Sequence, residues 1–158
     1  MLSHVDKKNF PTMVDVSDKT VTRRTAVARA TVVFPEEFSK DNLVNRQETF
    51  HTKKGPVLDT AIIAGVQAAK QTHSLLPFCH PIPLEDCRIS FEWTEGDKLI
   101  IDCSVRATHK TGVEMEALTG VTVAALTVYD MCKALSHQIR ISDVRLISKA
   151  GGKRDFGE

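Results

Sequence analysis

The chain predicts an α+β domain, an antiparallel sheet with helices laid against one face. Three observations carry this. Two neighbouring segments alternate apolar and polar side chains across a short turn, as half-buried strands do. Two longer segments repeat apolar residues at helical spacing. Strand and helix signals follow one another in the order strand, helix, strand, strand, helix, strand, which is the ferredoxin-like βαββαβ pattern.

Residues 1–12 are polar and contain Pro11, and are expected to form a flexible N-terminal tail. Residues 13–158 are expected to form a single catalytic domain with a mobile, Gly/Lys-rich C-terminal segment. TVTRRTAVARATVVF at 20–34 is rich in Val and Thr and suits a long strand. PEEFSKDN, within 35–50, fits one or two helical turns. Pro56 suits the first helical position of VLDTAIIAGVQAAKQTHSLL, where Val57, Ala61, Ala64 or Gly65, and Ala68 share a face. Pro77, Pro81 and Pro83 end that helix and force an extended turn. Cys87, Ile89, Phe91 and Trp93 alternate with Arg88, Ser90 and Glu92 in a half-buried strand. TEGD turns the chain, and Leu99, Ile101, Cys103 and Val105 mark the return strand. A long helix over 111–133 and a last strand, RISDVRLIS, complete the pattern.

The bulk numbers bound the class. The 158 residues suit one domain with a real core, and a net charge of +1 supplies no global basic field for nucleic acid or membrane. The four cysteines form no CxxC pair, so free thiols in a reducing, cytoplasmic setting are expected. No apolar run approaches a membrane span, and MLSHVDKKNFPTM lacks a signal-peptide core.

The helix at 111–133 is apolar on nearly every side, yet it carries Glu116, Asp130 and Lys133. Buried charge is costly unless it is paired or used. Glu116 and Asp130 lie 14 residues apart, so they fall roughly 40° from one another around the axis, with Lys133 about 60° further on. The three are expected to share a stripe, as a buried ion pair with a lone Glu or as a working site. The helix is also too apolar all round to rest only on its own sheet, and a four-stranded sheet leaves one face open. Both features predict a homo-oligomer.

Other residues offer chemistry. His80 in FCHP stands on a loop stiffened by prolines, as a structural ring or as an acid/base or phosphate donor. Adjacent Cys79 invites a nucleophile or metal reading, although no second spaced pair of ligands accompanies it. Glu114 and Glu116 flank Met115 at a helix start, where a carboxylate caps the helix or accepts from a guanine-like N–H edge. Lys53 and Lys54, Lys70, Arg23 and Arg24, and Lys149 and Lys153 around Gly151-Gly152 are surface charges or phosphate ligands. Cys87 and Cys103 fall on apolar strand faces and read as core.

MVDVSDK at 13–19, KKGPVLDTAIIAGVQAAKQT at 53–72, LLPFCHPIPL at 75–84, TGVEMEALTGVTVAALTVYDMCKAL at 111–135 and VRLISKAGGK at 144–153 together closely resemble the cyclic pyranopterin monophosphate synthase family of molybdenum cofactor biosynthesis. Phe78 stands where a leucine is common in that family. The resemblance implies a lyase. It would convert (8S)-3',8-cyclo-7,8-dihydroguanosine 5'-triphosphate to cyclic pyranopterin monophosphate plus diphosphate. It implies a homohexamer, a trimer of dimers, with active sites at dimer interfaces. It implies Asp130, Lys54 and Lys133 as catalytic residues. Phe78, Cys79 and His80, and Glu114, Met115 and Glu116, would bind substrate, with Arg24, Lys70 and Lys149 toward the triphosphate. Clustered lysines depress one another's pKa, which would free one as a base, and Asp130 would either hold Lys133 charged or take a proton itself. No motif demands a protein-bound cofactor, and Mg²⁺ would come with the substrate triphosphate. A rival, a ferredoxin-like module that binds nucleotide or RNA, would need exposed aromatics on its central strands, and Phe91 and Trp93 fall on the core side instead.

Overall fold

The computed structural model describes residues 5–36, 38 and 50–157. Four strands, β1 (Thr22–Val33), β4 (Asp86–Thr94), β5 (Lys98–His109) and β6 (Arg140–Ala150), form one sheet in the order β4-β5-β1-β6. Every pairing is antiparallel. A two-residue hairpin, β2 (His51–Thr52) and β3 (Gly55–Pro56), precedes helix α1 (Val57–Lys70). A single turn, α2 (Thr72–Leu75), follows it, and α3 (Glu114–Cys132) joins β5 to β6.

Alternation sets which face is buried. Ala26, Ala28, Ala30 and Val32 of β1 and Leu99, Ile101, Cys103, Val105 and Ala107 of β5 point into the core. The alanines of β1 leave α3 room to lie close to the sheet. On the other face Arg29 grips Asp102 across the strands, with Nε–Oδ1 and Nη2–Oδ2 both at 2.7 Å. Phe34, Phe38, Phe50 and Trp93 stack as one cluster at the end of the core. Trp93 and the half-buried Phe91 therefore pack against the core, as their alternation predicts.

The predicted elements are present with shifted ends. Pro56 is not the first residue of α1. It sits just outside the helix in extended backbone, paired with His51. Gln71 breaks the segment expected to run on to Leu76 and leaves α2 as a separate turn. The long helix begins at Glu114 rather than Thr111, and β6 continues past Ser148 to Ala150. The helical turns expected within 35–50 fall largely outside the described residues. Residues 5–11 close a small loop through a Val5–Pro11 bridge.

The all-round apolarity of α3 has a source inside the chain, because α1 packs along it as the sheet does on the other side. The helices meet at glycines. A Cβ on Gly65 would lie 2.9 Å from the Gly120 carbonyl, and one on Gly120 would lie 2.7 Å from Cys103 Sγ. Apolar surface still remains outward, with Ile63 68% and Leu126 52% exposed.

Candidate active site

α3 separates the expected site residues into two groups. At its N-terminal end, Phe78, Cys79, His80, Glu114, Met115 and Glu116 line one pocket of about 340 Å³ with Val14, Val16 and Lys19. Pro77 and Phe78 form a turn closed by the Cys79 amide on the Leu76 carbonyl at 3.1 Å, and beyond it the chain runs through Pro81 and Pro83 without regular structure. The Glu116 side chain enters from the first turn of α3 and is only 4% exposed. Burial pushes its carboxyl up to about 7, with the Glu114 charge adding to the shift. A carboxyl there exchanges its proton near neutral pH. Burial, and then the nearby Glu116, also raises the Cys79 thiol, which keeps it protonated and a poor nucleophile.

His80 Nε2 lies 2.8 Å from the Val14 carbonyl. A carbonyl only accepts, so Nε2 carries the hydrogen of this bond.

A second pocket of about 420 Å³ adjoins the first, and Lys19, Thr111, Gly112 and Glu114 line both. Its wall is cationic, with Arg24, Lys110, Lys149, Lys153 and Arg154. Arg24 is anchored by donating to the His109 and Lys110 carbonyls at 3.3 and 3.2 Å. Lys149 Nζ donates to Glu114 Oε1 at 2.7 Å. Gly151 turns the chain beside this wall at φ +87°, with the Arg23 carbonyl too close for any Cβ. Two carboxylates on one side and Arg24, Lys149, Lys153 and Arg154 on the other, with the Lys110 ammonium held by the Ser17 carbonyl, suit a ligand with a hydrogen-bond-donating ring and a polyanionic tail.

Asp130, Lys54 and Lys133 form the other group, at the opposite end of α3. Lys133 Nζ lies 2.8 Å from Asp130 Oδ1, and Lys54 Nζ lies 2.9 Å from Oδ2. Lys54 also donates to the Asp130 main-chain carbonyl at 2.7 Å, which fastens the β2–β3 turn to the helix end. Gly55, at φ +119°, lets that turn close. The two lysine hydrogen bonds, Lys133 first, hold the Asp130 carboxyl down at about 2. Asp130 in turn raises Lys133. The lowered lysine pKa expected from clustering is thus not what Lys133 has, because the carboxylate between the lysines outweighs their repulsion. Asp130 holds Lys133 charged.

The stripe of buried charge expected along the helix is only partly present. Glu116 is buried, whereas Asp130 and Lys133 are exposed at the far end. A 14-residue separation at 1.5 Å per residue sets Asp130 about 21 Å from Glu116 along the axis. Lys70 joins neither group and lies beside Ile62, Ile63 and Val66 on the outer face of α1.

Sequence reasoning assigned no role to Val14, Val16, Lys19 and Lys110. The Asp-x-Ser spacing at 15–17 was the available signal, since such pairs close tight turns. Among the described residues, no cluster of three or more His, Cys, Asp or Glu side chains could hold a metal ion, and no helix is long and apolar enough to cross a membrane.

An α+β chain with an antiparallel sheet, a carboxylate-lined pocket and an adjoining cationic one has the features of an enzyme for a phosphorylated small molecule. Residues 13–152 match the MoaC family, and the chain belongs to it. The cyclic pyranopterin monophosphate synthase of Xanthomonas campestris pv. campestris (strain B100) is 54% identical over 156 residues, 99% of this chain and 93% of that one. The synthase of Thermoanaerobacter sp. (strain X514) is 46% identical over 158 residues, 99% of this chain and 97% of its own length. Molybdenum cofactor biosynthesis protein 1 of Dictyostelium discoideum is 47% identical over 165 residues, 96% of this chain and 26% of that protein.

Proposed function

We propose that the chain is a cyclic pyranopterin monophosphate synthase, a lyase of molybdenum cofactor biosynthesis. Its substrate is the cyclised 7,8-dihydro-GTP derivative, and its products are cyclic pyranopterin monophosphate and diphosphate. The observation that carries this reading is the pair of adjoining pockets. Glu114 and Glu116 accept from the guanine-derived edge while Phe78, Cys79, His80 and Met115 shape the space around the ring. Arg24 and Lys149 hold the phosphates, and their charge offsets that developing on the leaving diphosphate. Lys149 exchanges its bond to Glu114 for a phosphate oxygen when substrate enters. Mg²⁺ accompanies the triphosphate as part of the substrate, with no protein cage required.

Lys54 and Lys133 shuttle protons and hold the reacting phosphate, with Asp130 as the catalytic carboxylate that positions them. Their distance from the pocket within one chain supports an assembly in which a second copy brings its own Lys54, Asp130, Lys133 and Lys70 to the pocket. Outward Ile63 and Leu126 on the helical layer favour such association. We read the assembly as a homohexamer, a trimer of dimers with sites at dimer interfaces. Counting only the sheet strands, the order second-third-first-fourth supports the ferredoxin-like assignment. The free cysteines and nucleotide-derived substrate agree with a cytoplasmic enzyme. Residues 13–158 act as one catalytic domain whose C-terminal Gly/Lys segment closes over bound phosphate.

The test is an anaerobic assay with the cyclised substrate, with product oxidised to its fluorescent pterin and diphosphate quantified in parallel. Pterin and diphosphate in equal amounts support the synthase. Bound substrate with neither product would leave a nucleotide-binding module.

A further inference from the structure

Residues 13–19 cross the rim of the ring pocket on a path fixed at both ends. His80 Nε2 donates to the Val14 carbonyl at 2.8 Å. Lys110 Nζ donates to the Ser17 carbonyl at 2.6 Å. Between them, Asp15 Oδ1 accepts from the Ser17 amide at 2.8 Å and its hydroxyl at 2.6 Å. The Lys19 amide returns to the Val16 carbonyl at 3.0 Å.

The two anchors come from different parts of the fold. His80 belongs to the proline-stiffened loop before β4, and Lys110 to the turn between β5 and α3. Between these points Val14 and Val16 become pocket wall, and Lys19 stands where the ring and phosphate pockets meet. The Lys110 ammonium is held by the segment at the Ser17 carbonyl, and its charge also reaches the Asp15 carboxylate. Asp15 is held low, first by its bonds to Ser17 and further by the Lys110 charge.

We propose that residues 13–19 form a strap clamped across the substrate pocket and that Lys110 is the positioning residue that clamps it. Lys110 acts on the substrate through the Ser17 main chain, and so through Val14, Val16 and Lys19, rather than by binding phosphate itself. The proposal rests on the synthase reading for its substrate, but the strap has a readout that needs no turnover.

Amide hydrogen exchange over 13–19 is measured in the full chain and in Lys110→Met, with kinetics on the cyclised substrate in parallel. Lys110→Met is expected to speed exchange there about ten-fold, the loss that goes with one bond from a charged donor. KM is expected to rise by a similar factor while kcat changes less than about two-fold. Lys110→Arg, which keeps a charged donor of similar reach, restores both. A raised KM with unchanged exchange would make Lys110 a direct phosphate ligand and overturn the clamp, as would no change in either. Where Lys110→Met does not fold, exchange in the unmodified chain decides: saturation with substrate slows exchange over 13–19 about ten-fold or more if the strap closes the pocket, and unaltered exchange contradicts it. Failure of the synthase reading shows separately, as an unmodified chain without turnover.

Discussion

Glu116 and Asp130 stand on one helix, and their surroundings push their carboxyl pKa values in opposite directions. Glu116 is buried, and that burial, with the Glu114 charge adding to it, pushes its carboxyl up to about 7. Asp130 is exposed between two lysines, Lys133 and Lys54, and is held at about 2. The first can take or give a proton near neutrality; the second serves as a fixed negative charge that organises two cations.

Glu116 makes stability pH-dependent. Its folded pKa is raised above the ordinary 4.5, so between about pH 4.5 and 7 the folded state holds a proton that the unfolded state has released. Stability from this group is therefore greatest below 4.5 and falls as pH rises through 7. The cost above pH 7 is ~2 kcal/mol after allowing for solvent reaching the carboxylate through the pocket. Denaturant unfolding against pH should show this slope in the unmodified chain and lose it in Glu116→Gln. The same substitution should lower kcat/KM about 100-fold, since a neutral amide cannot replace the carboxylate edge.

Lys54→Ala and Lys133→Ala should each lose about 10²–10⁴-fold in turnover, the scale of a positioned proton-transfer group. Both lysines are exposed, so circular dichroism and melting should stay near those of the unmodified chain. A near-normal rate in either variant would remove that lysine from the proton path.

His80→Ala should lower kcat/KM by about 1–3 kcal/mol, because the ring both shapes the pocket and holds the Val14 carbonyl. His80→Gln places an amide donor near the Nε2 position and should recover part of the loss. Steady-state kinetics on the two variants separate the ring's hold on Val14 from direct contact with substrate.

Gly120→Ala should cost about 1–3 kcal/mol and lower Tm by roughly 2–10 °C. The new methyl would press on Cys103 Sγ, and Gly65 and Ala69 of α1 leave it nowhere else to go. Calorimetry checks this, and an unchanged Tm would mean the helices separate more easily than their contact suggests.

Much of the fold was legible because strand alternation and helical spacing are local signals. Cys87 to Val105 show period two, and Val57 to Ala68 show one buried helical face. The end of α1 at Lys70 was not legible, since Thr72 and Leu75 fit the same spacing across the break at Gln71. Among the site residues, the family resemblance marked Glu114, Glu116 and the Phe78–His80 loop as substrate-binding, but that they line one pocket is visible only in the fold. The separation of Asp130 from Glu116 required helix length as well as angle: the two are neighbours around the axis but far apart along it. Ser17 and Lys110 meet through a bond from the lysine ammonium to a main-chain carbonyl across 93 positions of sequence, and side-chain patterns carry no trace of its acceptor.

On the proposed assembly, each site takes its binding pocket from one copy and Lys54, Asp130 and Lys133 from another. Mixing separately inactive Glu116→Gln and Lys133→Ala chains after reversible dissociation tests this most directly. Random reassembly should restore about a quarter of the activity of the unmodified chain treated the same way, because half of the dimers are hybrid and half of their sites are intact. No recovery, with the unmodified chain regaining full activity, would contradict the shared site and require each chain to complete its own.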